Sequence, residues 1–265
     1  MAETTLKPDV AKRAMPVLSR VAVIRIVTIA VVMVAYELVA RSGLLFQDVV
    51  PSLVLVAKAL VATLLDPGFY PHVWRTGAEV GIGFAIGTLL GAATGIVFGM
   101  SRFFAGMFNP WVEYLAPAPK IILLPILFLL FGVGMGSKIA MAAMSAFFPL
   151  AITTYAGMRQ IPAVHVRVAR VFNASPIQMV TKVYIPSLVA PVMTGLRLAL
   201  GVAIVGTLLA EIKMSNLGLG HLVIQHYNNL RLPEMYAVLL LTFSIAVAAN
   251  ALMGWLADRV EHDRQ

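Results

Sequence analysis

Six stretches of this chain stay apolar for about the length a helix needs to cross a lipid bilayer, and that restricts the fold more than any other feature. Each helical residue advances about 1.5 Å along a hydrocarbon core about 30 Å thick, so roughly 20 residues suffice. The stretches are 21–40, 77–100, 107–131, 137–157, 190–212 and 235–257. Lipid gives the backbone no hydrogen-bond partner, so such spans close their bonds internally. The expected fold class is therefore an all-α polytopic membrane protein with six transmembrane helices. Composition agrees: of 265 residues, 60% are hydrophobic and 12% charged, against about a quarter charged in soluble domains.

Local patterns refine the spans. In the second, Gly83, Gly87, Gly91, Gly95 and Gly99 recur every four residues and place a small-residue stripe where a neighbouring helix can approach closely. The third is interrupted by Pro110, Pro117, Pro119 and Pro125, which predicts a short helix, an irregular piece and a further helix. Irregular backbone at membrane depth must line a cavity or be covered by protein. Residues 51–65 open with the helix-start signal Pro51-Ser52 but are too short to cross, so an interfacial helix is expected there.

The formal charge of +8 is explained by topology. With the N-terminus inside and six spans, Lys7, Lys12, Arg13, Arg20, Arg102, Arg159, Arg167, Arg170, Lys182, Arg259 and Arg264 are cytoplasmic, whereas Arg41, Lys58, Arg75, Lys138, Lys213 and Arg231 fall outside. This excess follows the positive-inside rule. It places both termini in the cytoplasm: residues 1–20 form a cytoplasmic segment, 21–257 the transmembrane domain and 258–265 a cytoplasmic tail. Residues 158–189 become a cytoplasmic loop. The first apolar run is too long for a signal-peptide core and no small-residue cleavage pattern follows it, so it reads as a retained helix.

Several function classes drop away. The basic residues form no stripe with interleaved aromatics, which argues against nucleic acid. The chain has no cysteine, and its five histidines show no ligand-like spacing beyond His221 and His226, five apart in a polar stretch, so no metal is expected. An intramembrane protease needs a nucleophile and base at membrane depth, yet every histidine falls in a loop, the loop helix or the tail. An ion-coupled secondary transporter would show inverted repeats and a midplane carboxylate; it stands as the alternative, although no repeat is visible and Glu79 and Glu113 lie near span ends.

Charges inside spans mark functional candidates. Lys120, Arg197 and Glu211, with Pro117 and Pro119, are the candidate pathway residues. Arg197 lies a turn or two inside the fifth span, where it can also snorkel to the surface. Glu211 lies near the outer end, where solvent can meet it. A route lined by Lys120 or Arg197 favours an anionic solute.

The 158–189 loop carries the most information. Val164, Val168, Val171 and Phe172 recur at helical spacing opposite His165, Arg167, Arg170 and Asn173, which predicts a short amphipathic helix. Ser175 as N-cap and Pro176 at the first helical position then start a second helix running towards Pro186.

The stretch RVARVFNASPIQMVTKVYIPSLVAPVMTGLRLALG resembles the EAA loop of ABC importer permeases of the nitrate/sulfonate/taurine branch, with matches at Ala169, Ala174, Ser175, Pro186, Gly195, Leu196, Arg197 and Gly201. Arg167 stands where that family usually has Glu, and Asn173 where it has Gly; Asn tolerates the left-handed turn expected there. Leu115-Ala-Pro-Ala-Pro, Leu124-Pro125, Phe131-Gly-Val-Gly-Met-Gly-Ser-Lys138, Ala210-Glu211 and Gly218-Leu-Gly220 are similar to the family pattern in the same order.

The resemblance implies a type I importer permease, working as a homodimer by default. Arg167, Ala169, Arg170, Asn173, Ala174, Ser175 and Pro186 would couple it to a cytoplasmic ATPase, and a periplasmic binding protein would deliver the solute. It implies a transport subunit of the bacterial inner membrane, not an enzyme. No cofactor is expected in this chain, which has no GxxxxGK[ST] phosphate loop; ATP and magnesium would belong to the partner ATPase. The substrate expected from the resemblance is a small anion of the nitrate, sulfonate, taurine or organic-acid kind.

Overall fold

A computed structural model describes residues 20–42 and 49–262. The expectations for the first 19 residues, with Lys7, Lys12 and Arg13, and for residues 263–265, with Arg264, lie outside the described residues. Eleven α-helices follow one another among the described residues: α1 (Arg20–Arg41), α2 (Leu53–Leu65), α3 (Tyr70–Met100), α4 (Arg102–Leu115), α5 (Leu124–Phe131), α6 (Met135–Gln160), α7 (Ala163–Val171), α8 (Pro176–Met179), α9 (Ile185–Lys213), α10 (Leu219–Asn228) and α11 (Leu232–His262). Five helical runs are long and apolar enough to cross a bilayer: Ala22–Arg41, Pro67–Met100, Met135–Gln160, Pro176–Lys213 and Leu232–Val260. The pair Arg102–Leu115 and Lys120–Phe131, bent by 95°, makes a sixth if it counts as one span. The bend falls at Ala116–Pro119, where proline removes amide donors and the ladder cannot continue.

The chain divides into two units, 1–55 and 56–265. In the first, α1 leads to residues 49–55, which it holds through Leu53 N–H donating to Glu37 (2.8 Å) and the Tyr36 hydroxyl donating to the Pro51 carbonyl (2.9 Å). Its valines and isoleucines are exposed along the helix, as a lipid-facing span requires.

In the second unit α6 is the central helix, packed between α3 and α9. The glycine stripe of α3 makes the first contact possible. A Cβ at Gly87 would lie 2.2 Å from the Ala143 carbonyl, and one at Gly95 2.5 Å from Thr154. Without side chains there, the two backbones meet directly. On the other side, Ala142 and Ala146 of α6 are fully buried with Ala199 and Ala203 of α9. Small residues on both faces bring three helices together, and dispersion between close backbones replaces the hydrophobic drive that lipid does not supply.

One boundary differs from expectation. The second loop helix was expected to end near Pro186, ahead of a fifth span at 190; instead Pro176–Lys213 is one helical run. A π-helical turn, Val180–Tyr184, joins α8 to α9, and Ile185 N–H donates to Val180, five residues back. The wider turn accommodates Pro186, which has no amide to give and would crowd a regular turn. Ser187 then donates its hydroxyl to the Val183 carbonyl at 2.7 Å.

Candidate functional site

Three places in the second unit concentrate polar chemistry. The first is a cleft at the bent span. Breaking the helix at Ala116–Pro119 frees a carbonyl at Ala116, and the Lys120 ammonium, in the 3₁₀ turn Lys120–Leu123, donates to it at 2.7 Å. The same ammonium stands 4.8 Å from the Phe148 ring centroid, a cation–π contact. Around it lies a cavity of about 420 Å³ between the break, the middle of α6 and α9; Pro119, Lys120, Ser145, Phe148, Val205 and Gly206 are among its walls. Irregular backbone thus lines a cavity here, as its depth requires.

The second is a cluster that sequence reasoning missed. Glu79, Lys138 and Glu211, from α3, α6 and α9, are all fully buried. Arg75 donates to Glu79 at 2.8 Å. Thr76 donates its hydroxyl to Glu211 at 2.6 Å and accepts from Leu219 N–H at 2.8 Å, while Gly220 N–H donates to the other Glu211 oxygen at 2.7 Å. The Glu79 and Glu211 carboxyl groups are near enough to act on each other's charge, and one Glu79 oxygen has no hydrogen-bond partner. Lys138 donates to the carbonyls of Val133 and Met214, stands 5.2 Å from the Phe128 ring centroid, and acts electrostatically on both carboxyls. Two carboxyls and Lys138 therefore share one dry site, with the part-exposed Arg75 at its edge; none of the three buried charges would be tolerable alone.

The cluster also fixes the start of α10. Gly218 has φ +122, and a Cβ there would lie 2.3 Å from Glu211. Only glycine lets the chain pass over the carboxylate in that conformation. Glu211, expected where solvent can meet it, is instead enclosed beneath α10. Lys138, expected on the outer side at the start of the fourth span, is enclosed in α6. The signal in the sequence was faint: Arg75 and Glu79 at helical spacing, and Glu211 ahead of the Gly218-Leu-Gly220 turn.

The third place is the loop between α6 and α9. Helix α7 ends in a Schellman motif: Ala174 N–H donates to Ala169 O and Asn173 N–H to Arg170 O, both at 3.0 Å, with Asn173 at φ 51. Ser175 and Gln178 then form a reciprocal capping box at α8, with Pro176 in its first turn. Arg167, Arg170, Asn173, Ser175 and Pro186 are exposed, and Ala169 and Ala174 half-buried. Val164, Val168, Val171 and Phe172 are exposed too, Phe172 at 80%. The expected coupling residues other than Pro186 thus share one short, well-capped element, and Pro186 lies beyond it at the start of α9.

The expected pathway residues are dispersed. Pro119 and Lys120 line the cleft; Pro117, Arg197 and Glu211 are not among its walls. Arg197 lays its guanidinium across Gly254 of α11, where an added Cβ would lie 1.9 Å from it. Ser145, Phe148 and Gly206, absent from the expectations, do line the cleft.

Residues 83–263 match the family described as binding-protein-dependent transport system inner membrane component. A Haemophilus influenzae protein named as a probable ABC transporter permease is 30% identical over 233 residues, 87% of this chain and 94% of the relative. The nitrate import permease protein NrtB of Leptolyngbya laminosa is 28% identical over 76% of this chain and 72% of its own length. The taurine transport system permease protein TauC of Escherichia coli is 29% identical over 78% and 77%. In fold, the chain is similar to an inward-facing structure of the MetNI methionine ABC transporter, with a TM-score of 0.60 and 21% identity over 73% of this chain and 94% of that one.

Proposed function

The chain belongs to the family of binding-protein-dependent transport system inner membrane components, and from that premise we propose how it works as the permease subunit of an ABC importer. Helix α7 and the turn after it, residues 163–175, are the handle by which a separate cytoplasmic ATPase moves the bundle. The observation that carries this is the loop itself: a helix closed at its end by the Schellman motif and followed by a capping box, yet presenting Val168, Val171 and Phe172 to the outside. Caps make a short helix stiff, and an exposed apolar row beside Arg167 and Arg170 suits a groove on a partner. Displacing the handle turns α6 and α9, which are attached at its two ends. The loop and both termini lie on the cytoplasmic side of the bacterial inner membrane, the arrangement the excess of basic residues favours.

A binding protein hands over the solute on the opposite side, and two copies of the chain form the route. ATP and magnesium are held by the ATPase. The solute is a small anion, a reading supported by the nitrate and taurine named for the relatives and by Lys120 in the cleft. An ion-coupled carrier would need a carboxyl offered to such a cleft, whereas Glu79 and Glu211 are committed to the cluster beneath α10.

Ala169→Arg and Ala174→Arg put bulk and charge where the handle is half-buried. Co-purification of the ATPase should fall by tenfold or more, about 1.4 kcal/mol or above, with insertion unchanged. Because the chain has no cysteine, Arg170→Cys gives a single thiol whose labelling from one side of intact membranes reports orientation. Labelling from the extracytoplasmic side, or full ATPase retention in both alanine variants, would overturn the handle.

A further inference from the structure

The two lysines at membrane depth are compensated very differently. Lys138 has Glu79 and Glu211 acting on its charge. Neither lysine makes an ion pair among the described residues, but Lys120 has one backbone carbonyl and an aromatic face and no carboxyl acting on its charge. An ammonium keeps three donors, so one bond to Ala116 leaves capacity directed at the cleft. A half-buried cation among apolar walls without a counter-charge is costly unless an anion visits it.

The rest of the cleft limits what that anion can be. Ser145 is 5% exposed, lines the cavity, and has no hydrogen-bond partner among the described residues, so it offers a second polar contact. Gly206 faces that hydroxyl, and a Cβ there would lie 2.6 Å from the Ser145 oxygen. Its missing side chain keeps the space open. The other walls are apolar: Ile121, Met141, Phe148, Ile152, Val202 and Val205. A volume of about 420 Å³ is in the range of small-molecule sites, about 300–1,000 Å³. A bare oxyanion would fill little of it and leave hydrocarbon walls without a partner.

We propose that this cleft is a solute station for a compact organic monoanion, a sulfonate or carboxylate with a short apolar body, its head on Lys120 and Ser145 and its body against Phe148 and the α9 valines. The proposal rests on the permease reading above and deepens it by placing the solute and naming its class.

The absence of native cysteine gives a direct test on the full-length chain in lipid nanodiscs. Val205→Cys puts a thiol in the cleft wall, and Ile152→Cys is a second position should the first fail to fold. The rate of methanethiosulfonate modification is measured alone, with 1-butanesulfonate, with its neutral counterpart 1-butanol, and with nitrate. Saturating 1-butanesulfonate should slow modification about tenfold while the other two change it less than twofold. Adding Lys120→Met should abolish the protection, measured against that variant's own unprotected rate, and Ser145→Ala should raise the half-protecting concentration several-fold. Equal protection by butanol, persistence of protection in Lys120→Met, or no protection at either position would overturn the charged station. Equal protection by nitrate would overturn the organic class. None of these outcomes depends on the ATPase, so this proposal and the handle at α7 fail independently.

Discussion

Lys138 and Lys120 are both lysines inside the bundle, and the difference between their surroundings separates a cluster that ties helices together from a cation left facing a cavity. Lys138 is fully buried, bonded to two carbonyls and facing two carboxyls that are themselves tied to Arg75, Thr76 and α10. Two of its three donors are taken and both carboxyls act on its charge. Lys120 is half-buried at a break in the backbone, bonded once, with a cavity in front of it. A buried ammonium bonded twice among carboxyls ties helices together, whereas one bonded once beside a cavity keeps donors free.

The contrast can be broken most directly at Lys138. Lys138→Met leaves Glu79 and Glu211 with Arg75 as the one remaining cation of the cluster and two carbonyls without their donor. It should cost about 3–5 kcal/mol of unfolding free energy, read from denaturant titration in micelles. A loss below about 1 kcal/mol would mean that the cluster is not structural. A smaller effect is expected at Gly87, where a side chain must push α3 off α6 and away from the helix that carries Lys138. Gly87→Leu should cost about 1–3 kcal/mol by the same titration, and should leave the cleft between α6 and α9 open to thiol reagents. Closure of that cleft would show that the two regions are mechanically one. Smallest of all, Lys120→Met should shift unfolding by less than about 0.5 kcal/mol, since it removes one hydrogen bond and an uncompensated charge together. A large loss there would turn Lys120 into a second Lys138.

Much of the fold could be read before any coordinates. Apolar length announced the spans, four prolines announced the bend, and the four-residue glycine rhythm announced a close helix contact, whose partner the structure identifies as α6. The caps of the loop were equally legible: Asn173 takes the left-handed turn and Ser175 begins the next helix. These are local or periodic features, decided by residues close together in the chain. Pro186 misled because a proline normally marks a boundary, and whether a π turn can absorb it depends on the helix around it.

The cleft and the charge cluster were much less visible. Thr76 and Glu211 are 135 residues apart and meet through a hydrogen bond; Lys120, Ser145 and Gly206 come from three separate elements. Such pairings have no signature in spacing. The sequence by itself determined that the chain lives in a membrane, where it bends, and which loop carries two capped helix ends, because hydropathy, proline and capping act over a few residues. The tertiary structure alone decided which of the intramembrane charges are neutralised and which one faces a cavity, because that depends on three close-packed helices bringing distant side chains within a few ångströms of one another.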